Sequence, residues 1–199
     1  MLHEFNYSFL ALTAKGNQPN DAELVARAAI DTRPLSLSNT DAKLMASALK
    51  TAGEDAVSTW ACSAQRGFTK GRVLPDNVIE IETAGMIASM NPENRAALLF
   101  LDFAAAFPSI AHAFIWITLY YLKFPLNIIR AIQALYKDNK HFIRILGRTS
   151  ASFCAQSGVK QGCPFSGMLF VIVCDSLIRA LCKQVHLCSK KKQKNYKKN

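Results

Sequence analysis

Asp102 is the residue in this chain best placed to do chemistry. It closes an unbroken apolar run, Ala97–Leu101, and Phe107 follows five residues on, with three alanines between them. A short, continuous apolar run is what a strand buried on both faces looks like, although a buried helix shares the pattern. A carboxylate at the end of such a strand needs neutralising, because burying a bare charge is costly. A metal ion would do this. A helix N-cap role is the alternative, and this stretch alone does not separate the two.

Three other segments carry residues suited to anionic or nucleotide ligands. Arg33-Pro34-Leu35-Ser36-Leu37 offers a guanidinium that can grip phosphate oxygens in a bidentate fork, or simply pair with Asp31 or Asp41 at the surface. Gln65-Arg66-Gly67-Phe68 and Gly71-Arg72 place glycines beside basic residues, so the backbone can approach an anionic strand. The same composition also suits a plain turn. Ser157–Phe170, SGVKQGCPFSGMLF, combines Gly162, which permits close backbone approach, with Pro164, which stiffens the loop. Gln161 adds a donor and an acceptor.

In order, these segments resemble the motifs of reverse transcriptases of non-LTR (LINE-type) retrotransposons. Ala97–Ile110 resembles polymerase motif A, with Asp102 and Phe107 at the matching positions and Pro108 where the family often has a second Asp. Arg33–Leu37 is similar to the first fingers motif, with Lys15 closing a preceding strand. Gln65–Arg72 is similar to the second. Gly158, Val159, Gln161, Gly162, Pro164 and Ser166 match motif B, while Gly167 departs from a frequent second proline. The resemblance covers Lys15–Phe170 and implies an α+β fold, a right-hand polymerase with fingers and a palm built on a small antiparallel sheet with packed helices. It implies RNA-directed DNA polymerisation with an RNA template, a DNA primer and a deoxynucleoside triphosphate (dNTP). It implies Mg2+, or Mn2+ in its place, held by Asp102 and the Phe103 carbonyl. By the same resemblance Phe107 gates the sugar, Arg33 and Arg72 face phosphates, and Gln161 with Gly162 line the nucleotide site.

One part of that chemistry is missing. Two-metal phosphoryl transfer needs several carboxylates to offset four positive charges about 4 Å apart. The family's motif C supplies an Ala-Asp-Asp, and no Ala-Asp-Asp occurs here; after Asp102 the only acids are Asp138 and Asp175. The expectation is a reverse transcriptase fragment truncated before motif C and without polymerase activity of its own. Left without a hairpin partner, the 97–101 strand would expose an aggregation-prone edge. The alternatives are a catalytically dead nucleic-acid-binding fragment or the product of a decayed element.

The elements that would position these residues follow from pattern. Residues 5–15 read as a strand, and 20–30 as a helix capped by Asn20. A second helix, capped by Thr40 or Asp41, turns Leu44, Ala48 and Leu49 inward and stops at Gly53. Asp76–Ala88 reads as a helix with Asp76 as N-cap, and His112–Leu122 and Pro125–Asn139 as two more. The aromatics Phe114, Trp116, Tyr120 and Tyr121 are assigned to the core, and His112 to a helix end. Residues 141–156 form a hairpin, and Phe165–Leu181 a buried helix interrupted by Asp175 and Arg179. The expected regions are a fingers-like 1–95, a partial palm at 96–188 and a basic tail at 189–199.

Composition sets outer bounds. Half of the 199 residues are apolar and 19% charged, which excludes bulk disorder. The net charge of +10 owes much to six lysines within 190–199; the rest holds 18 basic and 14 acidic residues. That body is compatible with nucleic acid without being diagnostic of it. Lys, Asn, Gln and Tyr in the tail suit adenine-rich codons, so the tail reads as low complexity rather than as a designed arm. Six cysteines without CxxC spacing read as buried reduced thiols, hence an intracellular protein, nuclear or cytoplasmic, with no membrane segment and an oligomeric state left open.

Overall fold

The computed structural model describes residues 4–16, 28–90, 97–145 and 147–196. The elements are β1 (Ser8–Ala14), β2 (Thr32–Ser38), α1 (Thr40–Trp60), α2 (Pro75–Ser89), α3 (His112–Tyr121), α4 (Leu126–Tyr136), β3 (Lys140–Ile145), β4 (Arg148–Thr149), β5 (Phe153–Cys154) and α5 (Ser166–Tyr196). The expected helix over 20–30 lies largely outside the described residues. Helices and strands mix as the α+β reading requires. The chain divides into two compact units, Met1–Ala52 with Ala105–Phe170, and Gly53–Ala104 with Val171–Asn199.

The first unit is built on a sheet of order β2-β1-β3-β4, with β5 also on β3. β1 and β2 run antiparallel with Ser8 opposite Ser38 and Ala14 opposite Thr32. β1 and β3 run parallel, Ser8 to Leu10 against His141 to Ile143. The sheet is therefore mixed: the pairs within 140–154 run antiparallel, as expected of the palm sheet, and the parallel pair joins β1 to them. The predicted hairpin at 141–156 is present, its return arm broken into β4 and β5, which pair with successive lengths of β3. Buried polar contacts pin the parallel seam. Ser8 Oγ meets His141 Nδ1 at 2.7 Å, and Asn6 Nδ2 donates to the Ala134 and Lys137 carbonyls at the end of α4. Those carbonyls have no intrahelical donor, so Asn6 supplies one. Ile115, Leu119, Ile129, Ile132 and Leu135 form the buried faces of α3 and α4.

Three helix readings change. Gly53 does not stop α1, which continues to Trp60, because an isolated glycine costs a helix only about 1 kcal/mol. Its buried face is Ala42, Ala46 and Val57, while Leu44 is 64% exposed. The inner face is thus lined by small side chains, and the larger Leu44 points outward. α2 begins at Pro75 after Leu74, with no side-chain cap, and Asp76 lies 3.9 Å from Arg66 instead. On α3 the core residues are Ile115, Thr118 and Leu119, whereas Phe114, Tyr120 and Tyr121 are exposed.

In the second unit the apolar run at 97–101 is not a strand. Leu98 to Leu101 belong to no helix or ladder and stand 62–77% exposed. A strand buried on both faces needs neighbours on both edges, and among the described residues this segment has none. α2 buries no residue, and a cavity of about 530 Å³ lies between it and Ala97–Leu98. This unit buries Val57, Ala61, Val171, Ile172 and Val173, and polar contacts organise the backbone beside them. The carboxylate of Asp175, 1% exposed, accepts from the Cys62 N–H (2.6 Å) and from Arg179 Nε (2.5 Å). Arg179 also donates to the Trp60 carbonyl and lies over its ring. The cysteines outside 183–199 are free, with Cys154 and Cys182 exposed rather than buried, and no described helix is long and apolar enough to cross a membrane.

Two predictions follow. Leu99→Asp with Phe100→Asp leaves the unfolding free energy within about 0.5 kcal/mol of the parent and raises soluble yield, because these side chains are more than three-quarters exposed. Urea titration and centrifugation check both. Burial and the nearby Lys160 lower His141 to a pKa of about 4. Below its free-chain value of about 6.5 the unfolded chain therefore binds the extra proton, and stability falls between pH 6.5 and 4 by up to about 3 kcal/mol. Denaturant titrations across that range show the decline in the parent and its loss in His141→Gln.

Candidate nucleotide-facing surface

The Ser157–Phe170 loop is held by its neighbours at two glycines. Gly158 has φ +85°, and its N–H reaches the Ile110 carbonyl at 2.6 Å. A Cβ there would stand 2.8 Å from Pro108 Cα and 3.0 Å from the Phe107 carbonyl oxygen. The next amide, Val159 N–H, donates to that Phe107 carbonyl at 2.9 Å. Gly162, φ +91°, lies against β2; a Cβ there would meet Leu35 Cδ1 at 2.9 Å and the Ser36 carbonyl oxygen at 3.1 Å. Ser36 N–H donates to the Gln161 carbonyl at 2.8 Å. Both glycines thus take conformations that side chains rarely adopt, at points of backbone contact. The close approach at Gly162 is to β2, where the sequence suggested a nucleotide.

This docking brings Arg33, Phe107, Gln161 and Gly162 into one unit. Arg33 lies on β2 opposite Thr13, exposed, with no ion pair to Asp31, Asp41 or any other acid among the described residues. The Gln161 side chain is half-buried with no hydrogen bond among the described residues. Phe107 is half-buried and its ring packs on Phe170, centroids 5.0 Å apart. His112, read only as a helix end, shares a 2.9 Å hydrogen bond with the Gly158 carbonyl.

Asp102, Phe103 and Arg72 fall in the other unit. Asp102 is exposed, and among the described residues its Oδ1 accepts only the Phe103 N–H at 2.9 Å. Phe103 is 57% exposed. Among the described residues no three His, Cys, Asp or Glu side chains converge as a metal site. A single exposed carboxylate does not make a two-metal donor set. Arg72 departs from the phosphate-facing expectation. Nη1 donates to the Cys62 and Gln65 carbonyls and Nη2 to those of Ser58 and Ala61, at 2.5–2.9 Å. It caps the carbonyl end of α1, which has no intrahelical donors. Arg66 pairs with Glu80.

Lys160, between the matching residues of this loop, was not singled out from sequence. It is half-buried, its ammonium 5.8 Å from the Tyr136 ring centroid, and burial lowers its pKa to about 8. A lysine in a polar loop gives no sign of burial, so only packing identifies it.

Gly158→Ala costs more than about 2 kcal/mol, because a forbidden backbone angle and a clash with backbone coincide there. Arg72→Lys destabilises by about 1–3 kcal/mol, since one ammonium cannot reach four carbonyls. A phosphate-facing Arg72 would leave stability unchanged. Urea titration reads both.

Residues 20–195 match the family described as reverse transcriptase (RNA-dependent DNA polymerase). The chain is 27% identical over 153 residues, 77% of its length, to the Transposon TX1 uncharacterized 149 kDa protein of Xenopus laevis. It is 30% identical over 122 residues, 61% of its length, to the Retrovirus-related Pol polyprotein from type-2 retrotransposable element R2DM of Drosophila melanogaster. It spans 12% and 11% of those two proteins respectively. With the family match running through nearly the whole chain and both relatives coming from non-LTR elements, the chain belongs to the reverse transcriptase (RNA-dependent DNA polymerase) family.

Proposed function

We propose that this chain forms the fingers and the first part of the palm of a LINE-type reverse transcriptase that copies an RNA template from a DNA primer. The observation that carries this reading is the joining, in one unit, of three segments far apart in sequence. The Arg33–Leu37 strand, the Phe107-Pro108 turn and the Gly158–Gly162 loop meet through backbone hydrogen bonds of 2.6–2.9 Å. On that surface Arg33 keeps a guanidinium available for the triphosphate of a dNTP, and Gln161 keeps an amide for its sugar or base. Phe107 borders the same loop as the residue that would limit the ribose 2′ position.

The family uses divalent metal ions, Mg2+ or Mn2+ by resemblance, and Asp102 with the Phe103 carbonyl is the contribution this chain would make to holding them. Those two groups do not fit a two-metal centre by themselves, so no reaction step is assigned to the 199 residues. This favours a second reading for the isolated chain: nucleic-acid binding without catalysis, through Arg33 and the lysines of 190–199, inside an intracellular, nuclear or cytoplasmic setting. The proposed regions are fingers at 1–95, partial palm at 96–188 and basic tail at 189–199.

The test is primer extension on an RNA template with Mg2+, comparing the chain with Asp102→Ala. The expected outcome is no extension by either, with primer–template binding that weakens steeply with salt and is the same in both. Extension abolished by Asp102→Ala would show that the missing carboxylates come from a second chain. Salt-insensitive or absent binding would remove the nucleic-acid reading.

A further inference from the structure

A cavity of about 440 Å³ lies on the face formed by α3 and α4, entirely within the first unit and apart from Arg33, Phe107, Gln161 and Gly162. Its wall includes His112, Trp116, Gln133 and Tyr136, and its rim carries Arg130 and Lys137. The three rings are mutually braced. Tyr136 stands edge-on to both Trp116 (6.0 Å, 71°) and His112 (5.2 Å, 72°), and His112 is tilted against Trp116. Trp116 is half-buried, so part of its indole faces outward while the remainder is held. Arg130 and Lys137 are exposed and have no ion-pair partner among the described residues; no acid lines the cavity.

We propose that this cavity is a second nucleic-acid contact, taking one nucleotide of a single strand with its base against Trp116 and its phosphate on Arg130 and Lys137. An indole held in place by two other rings offers a stacking surface without an ordering cost, and stacking serves any base. A guanidinium and an ammonium at the mouth, uncompensated by acid, are a phosphate-binding pair. Gln133 presents both a donor and an acceptor to a base edge. The volume lies within the range of small-ligand sites. His112 is fixed from outside the cavity by the Gly158 carbonyl, so the wall is formed before a ligand arrives. The inference does not rest on the polymerase reading, since it involves none of the residues assigned to it.

The experiment uses the full chain in a Trp60→Phe background, which leaves Trp116 as the single tryptophan. Its fluorescence is titrated with adenosine monophosphate, with an eight-nucleotide single-stranded RNA, and with inorganic phosphate. The expected result is saturable quenching by the RNA and about a tenfold rise in half-saturation in Arg130→Ala/Lys137→Ala. The salt slope of log affinity should fall by about 0.7, one phosphate neutralised on a single strand. Quenching by the monophosphate as well makes the free nucleotide sufficient; quenching by RNA alone makes the strand the ligand. Both outcomes support the site. Absence of quenching by either, quenching unchanged in the double variant, or full competition by inorganic phosphate alone would overturn it. The two substituted side chains are exposed and unpartnered, so the double variant folds as the parent does, which its thermal unfolding verifies.

Discussion

The first unit depends on two backbone positions that only glycine can occupy without strain. Gly158 and Gly162 let the loop between β5 and α5 lie directly on the Phe107-Pro108 turn and on β2, at distances where a single added carbon would collide with main chain or with Leu35. Amides from the two sides then complete each other, Val159 with Phe107 and Ser36 with Gln161. Buried main-chain groups need such partners, so the loop has little freedom to move away. What the loop brings with it, Gln161 and the half-buried Lys160, is placed by that docking rather than by the loop's own preferences.

The parallel seam between β1 and β3 is the complementary constraint. It joins the start of the chain to residues beyond 140, and its contacts are polar as well as apolar: Ser8 with His141, Asn6 with the end of α4, and the Phe9 and Tyr7 rings against Phe142. His141 is held neutral there by burial. The strand bearing Arg33 is thereby fixed to the same frame as the loop. In the second unit the logic differs. Around the end of α1, Arg72 satisfies four main-chain carbonyls and Asp175 the Cys62 N–H, while the long apolar side chains of α2 and of 98–103 stay exposed. Among the described residues the unit's buried apolar side chains are confined to Val57, Ala61 and Val171–Val173, and polar contacts organise the backbone around them.

That contrast explains the position of Asp102. Its usefulness to a polymerase requires a paired strand beneath it and further carboxylates beside it. Here it sits on an exposed segment, and its one hydrogen bond among the described residues comes from its own neighbour's amide. A segment without a paired neighbour offers no fixed geometry for a metal ligand, and among the described residues no further carboxylates join Asp102 as a metal site.

Much of this was legible in the residues themselves. The ordered Gly-Val-x-Gln-Gly-x-Pro-x-Ser run, the Arg-Pro-Leu-Ser-Leu run and the Asp102–Phe107 spacing carry the family, because glycine and proline at such positions are demanded by backbone geometry and show in the chain itself. Helix positions over 75–89, 112–121 and 126–136 and the hairpin after 140 were also readable, being local in pitch and turn chemistry. Tertiary structure alone decided the parallel pairing of β1 with β3, the capture of Arg72 by four carbonyls, the burial of Lys160 and the exposure of Leu98–Leu101. Each of these depends on what lies opposite a residue across many tens of positions. An apolar run or a guanidinium has the same local signature whether or not a partner reaches it.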